Sequence, residues 1–107
     1  MIFRYHDAKP VEMFPGVTRR TLAVGEALML TEFTYEAGSK VPMHHHPHEQ
    51  ISYVVKGRYR VTIKEEEIVV EKGDSYLIPP NTLHAQAADE LTITVDIFSP
   101  PREEYKM

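Results

Sequence analysis

The apolar residues of this chain come in short runs, and glycine, proline, asparagine or charged residues break the runs every few positions. β-Branched and aromatic residues dominate these runs, which is typical of strands, and no segment of convincing length shows a helical apolar period. Closely spaced strands joined by turns indicate an antiparallel sandwich or barrel. We therefore predict an all-β fold with strands at residues 17–24, 27–36, 50–56, 58–63, 68–70, 75–78, 84–87 and 91–98.

Composition narrows the classes of protein that this chain can belong to. Its 107 residues suit a single domain over residues 1–107, and an apolar fraction of 42% is enough for a core. The net charge of −4 argues against nucleic acid or an anionic membrane as the main partner. With no cysteine, no signal-peptide run at the amino end and no apolar stretch of membrane-spanning length, we expect a cytoplasmic protein.

The histidines are not scattered, because five of the six fall in two places: His44, His45, His46 and His48, and then His84. Strand side chains alternate with period two, so we expect His44 and His46 to share a face. Gln50 shares that face if Pro47 bends the chain without changing the register. Two imidazoles and an amide oxygen could then take three positions around a metal ion, and His84 could supply the fourth.

Spacing alone does not settle which of these side chains bind a metal. For His44, His46 and His84 it leaves metal ligand and bystander equally open. His45 and His6 lack partners at suitable spacing, so we expect both to be bystanders. His48 has the right parity but follows a proline, and a substrate contact is as compatible with its position as ligation.

Two stretches resemble the two sequence motifs of the cupin family. Residues 38–57 contain a glycine, the pair His44-x-His46, a further ligand position and Gly57, as in the first motif. Residues 73–84 follow the second motif, Gly-x5-Pro-x-Gly-x2-His, and end in His84. The resemblance implies an antiparallel cupin barrel, which is a jelly roll or double-stranded β-helix. It also implies one divalent metal ion held by His44, His46, Gln50 and His84.

The chain departs from these motifs at two positions. Many cupins have a glutamate as the third ligand, whereas here Glu49 lies one residue early on the opposite parity and Gln50 takes the ligand position. We expect Gln50 to bind, with Glu49 as the alternative. Asn81 replaces the usual glycine, and asparagine tolerates left-handed backbone better than most residues. The four neutral ligands would leave the ion its full charge, and imidazole suits Ni, Fe, Zn, Mn or Cu.

The last predicted strand and the tail supply further candidates. Asp96 interrupts an otherwise apolar and threonine-rich strand, and Phe98 lies two residues later on the same face. An aspartate that satisfies a turn is as compatible with this position as a general acid or base. Arg102 follows two prolines, and pairing with Glu103 or Glu104 is its simplest role. As a functional residue it would bind a substrate carboxylate.

The whole chain is similar to the KdgF family of pectin- and alginate-degradation proteins, through residues 16–20, 44–50, the second motif and 96–105. The resemblance implies conversion of 4,5-unsaturated monouronates, which polysaccharide lyases produce, into linear keto-sugar acids. It implies catalytic roles for Asp96 and Arg102 and substrate binding by Phe98 and Arg102, to which we add His48. The alternatives are a metal-dependent dioxygenase or isomerase for another small molecule, and a sugar-binding cupin without turnover.

Apolar rows on two predicted strands indicate a homodimer. Residues 51, 53 and 55 alternate with Gln50, and residues 91, 93, 95 and 97 alternate with Asp96. If Gln50 and Asp96 point into the barrel, these apolar rows lie on its outside. Exposed apolar rows of this size mark an interface more often than bare surface.

Overall fold

A computed structural model describes residues 1–106, which form ten β-strands in two antiparallel sheets. The larger sheet has the strand order β1-β2-β3-β10-β5-β8, and the smaller sheet has the order β4-β9-β6-β7. Short 3₁₀ turns lie at Tyr5–Asp7 and Glu103–Tyr105. The predicted all-β antiparallel fold is confirmed. The strands are β1 Val11–Phe14, β2 Val17–Val24, β3 Met29–Tyr35, β4 Lys40–His44, β5 Glu49–Lys56, β6 Arg58–Ile63, β7 Glu66–Glu71, β8 Ser75–Ile78, β9 His84–Ala88 and β10 Thr92–Ser99.

Side chains alternate between the core and the surface along the central strands. In β3, β5 and β10 every second residue is buried, as the period-two pattern requires, except Lys56 at the end of β5. Phe33 and Phe98 of the larger sheet join one apolar cluster with Tyr59 and Val61 of the smaller sheet. Full burial of a side chain such as Phe98 contributes about 1.5–3 kcal/mol, so this cluster holds the two sheets together.

Strand register places a row of polar side chains inside the larger sheet. Four residues on neighbouring strands β3, β10, β5 and β8 stand opposite one another, and we call them the polar row: Thr31, Asp96, Ser52 and Tyr76. The next inward-facing row, two residues along each strand, contains Phe98 and Gln50. The interior of the barrel is therefore polar directly beside Gln50.

The sequence did not predict β1 or β4, and each has a physical reason. Both are edge strands, which need no complete hydrogen-bond ladder. In β4, Pro42 lacks an amide hydrogen, and the register shifts between Val41 and His44. Strand β7 is longer than predicted because Glu66 and Glu67 extend it beside β6, where their side chains remain exposed.

Among the turn residues with left-handed backbone, Asn81 and Gly57 adopt it for different reasons. Asn81 has φ of 58°, as expected for a residue in the glycine position of the second motif. Its backbone amide donates to the carbonyl of His46 at 2.7 Å, which ties the two motifs together. Gly57 has φ of 85°, and an added Cβ there would lie 2.2 Å from the carbonyl oxygen of Leu91. This position between β5 and β6 therefore requires glycine.

The apolar rows predicted on the outside of the barrel are found there. Ile51, Tyr53, Val55, Leu91 and Ile97 are exposed by 41–47%, and Ile93 and Val95 are half-buried. No helix within residues 1–106 is long and apolar enough to cross a membrane.

Candidate metal centre

Three histidines from separate parts of the fold meet at one end of the barrel. His44 ends β4, His84 begins β9 directly opposite it, and His46 lies in the connection between β4 and β5. One nitrogen from each ring lies within 4.8 Å of the other two. The expectation that His44 and His46 share one strand face is wrong, because β4 ends at His44 and the following connection turns His46 inward. The predicted grouping of the three imidazoles is nevertheless present.

Backbone carbonyl groups fix the orientation of all three rings. Each Nδ1 faces a carbonyl oxygen, which can only accept a hydrogen bond, so Nδ1 carries the proton and donates it. The three contacts are His44 Nδ1 to Pro42 O at 2.9 Å, His46 Nδ1 to His48 O at 3.0 Å and His84 Nδ1 to Thr82 O at 2.7 Å. Every Nε2 atom is thereby left with a free lone pair, which is the arrangement of metal-binding histidines.

Gln50 completes this set of donor atoms. Its Oε1 lies 3.1 Å from Nε2 of His46, and its amide nitrogen donates to Oγ of Ser52 at 3.0 Å. An amide oxygen and an unprotonated ring nitrogen repel each other at this distance unless a cation lies between them. The Nε2 atom of His84 is buried and has no hydrogen-bond partner among residues 1–106. These atoms fit a borderline divalent ion, whereas Glu49, the alternative ligand, is exposed on the other face of β5.

The protonation states of the histidines suit ligation. Burial lowers the pKa of His46 and of His84 to about 4, and it also lowers the pKa of His44. The positive charge of Arg102 acts in the same direction on all three pKa values. The imidazoles are therefore neutral near pH 7, so no proton has to leave before a metal binds.

Asp96 lies in the same cavity as the donor set. The cavity has a volume of about 320 Å³ and is lined by His44, Gln50, Asp96, Phe98 and Arg102 among others. Asp96 pairs within the sheet and is 2% exposed, which contradicts the alternative of a turn-satisfying aspartate. Burial raises its pKa to about 7, although the hydroxyl groups of Ser52 and Thr94 oppose that rise. Both protonation states of this carboxyl group are therefore populated near neutral pH.

Arg102 brings a positive charge to the rim of the cavity. Its guanidinium lies 5.2 Å from the ring centre of Phe98 and 4.1 Å from that of Tyr105. Its Nη2 atom pairs with Glu104 at 3.1 Å, so the expected ion pair forms at the cavity itself. Phe98 also stands edge-on to His46, with ring centres 5.7 Å apart. The structure thus brings Asp96, Phe98 and Arg102 together beside the histidines.

Of the remaining histidines, His6 and His45 lie on the surface and His48 lies beside the site. His45 and His6 are exposed, as expected of bystanders. The ring of His48 packs edge-on against the ring of His46, with ring centres 5.5 Å apart. The backbone carbonyl of His48 also orients the ring of His46. The sequence carries no signal for that carbonyl contact, because any residue provides the same group.

Sequence reasoning also missed two side chains at this site. Ser52 contacts Gln50, and its parity on β5, two residues from Gln50, is a signal that could have identified it. Tyr105 is buried between Arg19 and Arg102, with 4.5 Å and 4.1 Å from its ring centre to the two guanidinium carbons. Tyr105 follows the last strand, where no periodic pattern predicts burial.

Comparisons with known proteins agree with the fold. The family model described as Cupin domain matches residues 31–98. The pectin degradation protein KdgF of Dickeya dadantii is 29% identical over 96 residues, which cover 88% of this chain and 87% of that protein. The solved structure of KdgF from a Halomonas species has a TM-score of 0.89 at 29% identity, over 97% of this chain and 96% of that one. An RmlC-like cupin from Shewanella frigidimarina has a TM-score of 0.91 at 29% identity, over 97% and 94% of the two chains.

Proposed function

The chain belongs to the Cupin domain family, and we propose that it is a metal-dependent enzyme converting 4,5-unsaturated monouronates into linear keto-sugar acids. The observation that carries the proposal is a buried carboxyl group, Asp96, in one cavity with two of the proposed metal ligands and an arginine. The similarity to proteins named KdgF, over most of both chains, supports the same substrate class.

In this proposal the metal is held by His44, His46, Gln50 and His84. A bound divalent ion would supply a Lewis acid to an oxygen of the sugar acid, and four neutral protein ligands would leave it one or two further positions. The residues present fit such an ion, because three unprotonated ring nitrogens and one amide oxygen face the same point.

The substrate is bound through its carboxylate and its ring. Arg102 is the cationic group on the cavity wall that can form charge-assisted hydrogen bonds with the carboxylate. In the structure Glu104 pairs with the guanidinium of Arg102. The substrate carboxylate replaces Glu104 in that pair. Phe98 provides an apolar surface for the sugar ring, and His48, beside His46, contacts the substrate at the rim.

Asp96 moves the proton that the ring opening requires. The anomeric hydroxyl loses one proton as the bond between C1 and the ring oxygen breaks, and one proton is added to the alkene carbon C4. The product is an isomer of the substrate with an aldehyde and a ketone, so no oxidant is consumed. A carboxyl group whose pKa burial raises to about 7 can both accept and donate a proton at neutral pH.

Turnover by matched variants tests this proposal. Unsaturated uronate produced by a lyase absorbs near the ultraviolet edge, and the metal-loaded protein should remove that absorbance faster than the spontaneous reaction. Asp96→Asn should lower the rate by roughly 100-fold or more, the scale of general acid–base catalysis. The control Asp89→Asn changes an exposed aspartate that follows the carboxyl end of β9, at the opposite end of that strand from His84, and it should leave the rate unchanged. Full activity of Asp96→Asn would refute the role of Asp96, and tight binding without turnover would favour a sugar-binding cupin.

We also propose that the protein is a homodimer. One row of apolar residues crosses the outer face of the larger sheet from β2 to β8: Ala23, Leu30, Ile97, Ile51 and Leu77. Ile97, Ile51 and Leu77 are exposed by 41–48%. A second copy of this chain packed on that row would remove it from water.

A further inference from the structure

We propose that Ser52 is a positioning residue of the metal centre, whose hydroxyl group holds the amide of Gln50 with its oxygen towards the three histidines. The inference rests on the proposed metal site and adds the residue that gives Gln50 its ligand geometry. Ser52 is fully buried, and its Oγ accepts a hydrogen bond from Nε2 of Gln50 at 3.0 Å.

A glutamine needs such a partner because its two amide ends have nearly the same shape. Only the oxygen can bind a cation, whereas the NH2 group can only donate hydrogen bonds. Rotation of the Gln50 amide by half a turn would direct N–H groups at Nε2 of His46, where they would form an attractive hydrogen bond. In the absence of a metal, the contact with His46 alone therefore favours the wrong orientation. Ser52 favours the correct orientation when its own hydrogen is given to Asp96 or Tyr76 opposite it, because its oxygen can then only accept from the Gln50 amide.

The hydroxyl group of Ser52 is itself held in place on its other side. Ser52 stands opposite Asp96 and Tyr76 in the strand register, within the polar row. Its hydroxyl lowers the pKa of Asp96 and that of Tyr76, and the hydroxyl of Tyr76 in turn contacts that of Tyr59. Because Oγ accepts from Gln50, its own hydrogen is available to one of these neighbours. One hydroxyl group thus joins the proposed metal ligand to the proposed acid–base residue.

Ser52→Ala removes this acceptor with almost no change in volume. We expect the affinity for Ni²⁺, and in parallel for Zn²⁺, to fall by roughly 10–100-fold, the usual cost of losing a group that orients a metal ligand. Affinity is measured on metal-free protein by competition with a chelating dye, without any enzyme assay. Thr94→Val is the matched control, since it removes another buried hydroxyl beside Asp96 whose strand position faces Val54 rather than Gln50. It should leave the affinity within about twofold of wild type.

A double-mutant cycle separates orientation from general damage. Glutamate at position 50 presents an oxygen at either end, so the Gln50→Glu background needs no orienting acceptor. Ser52→Ala should therefore cost much less affinity in Gln50→Glu than in the wild type. An equal loss in both backgrounds would mean that Ser52 only supports the fold and would overturn the inference. If Ser52→Ala does not fold, Ser52→Cys retains the volume with a weaker acceptor and should give a smaller loss in the same direction.

The outcomes distinguish this inference from the proposed function. Wild-type protein that binds neither ion would overturn the metal site and the role of Ser52 together. Wild-type binding with unchanged affinity in Ser52→Ala would overturn the role of Ser52 alone and leave the metal site intact. The geometry predicts that Ser52→Ala lowers the metal affinity when residue 50 is the wild-type glutamine and has little effect in the Gln50→Glu variant.

Discussion

Replacing Asp96 with asparagine should change how the stability of the metal-free protein depends on pH. Burial raises the pKa of this carboxyl group from 3.8 to about 7, so the folded protein holds a proton that the unfolded chain has released between these values. When the folded state binds more protons, stability falls as pH rises. Each pH unit corresponds to about 1.4 kcal/mol, and the interval of roughly three units gives a loss of up to about 4 kcal/mol by pH 8.

The three histidines of the proposed metal centre act in the opposite direction over part of this range. Burial lowers the pKa values of His44, His46 and His84, so the unfolded chain binds protons there that the folded protein does not. Their contribution to stability is absent at low pH and appears as the pH rises towards 6.5, the usual pKa of histidine. The wild-type profile therefore contains opposing slopes. The difference between wild type and Asp96→Asn removes the shared histidine contribution and leaves that of Asp96.

Chemical denaturation of both chelator-treated proteins at about pH 4, 5, 6, 7 and 8 measures this difference. Asp96→Asn should gain stability relative to wild type as pH rises, by up to about 4 kcal/mol in total and mostly between pH 4 and 7. A constant offset between the two proteins at all pH values would refute the reasoning. It would mean that Asp96 ionises in the folded protein as easily as in the unfolded chain.

Three further changes test other parts of the site and surface. Ni²⁺ at 100 times its Kd should raise the free energy of unfolding of the wild type by about 2.7 kcal/mol, which corresponds to a rise in Tm of roughly 10–20 °C in a thermal melt. A chelator or the substitution His84→Ala should abolish that rise. Arg102→Lys keeps the charge but loses the planar pair of donors, so KM for unsaturated uronate should rise about tenfold or more while kcat changes less; an unchanged KM would count against the carboxylate contact. Ile97→Lys should yield a folded monomer in sedimentation at micromolar concentration, and a wild type that is already monomeric would exclude the dimer.

Period-two alternation explains why much of the fold was predictable. Strands such as β3 and β10 alternate buried and exposed residues along their length, so their bounds were nearly correct from sequence. Asp96 was singled out because it interrupts an apolar and threonine-rich strand, but spacing left its role open and the resemblance to the KdgF family implied its place in the site. Asn81 was predicted to take left-handed backbone because it replaces a motif glycine, and its φ of 58° confirms this.

The unpredicted parts depend on backbone geometry that side-chain patterns do not encode. Strand β4 was missed because Pro42 and a register shift interrupt its alternation. The burial of His46 was not derivable from that alternation, because His46 lies in the connection after the strand. The ring of His46 is oriented by the carbonyl of His48, a group that every residue possesses. Tyr105 is buried by contacts with residues distant in sequence, Phe33 and Arg19, rather than by a local pattern.

The most direct measurement is a proton NMR time course of an unsaturated monouronate with the metal-loaded protein, the chelator-treated protein and buffer alone. The proposed function predicts that the alkene proton signal at C4 disappears faster with the metal-loaded protein than in either control, and that signals of the linear keto-sugar acid replace it. Equal decay in all three samples, with each candidate metal tried in turn, would contradict the proposed function. The cupin fold would then serve another small-molecule ligand.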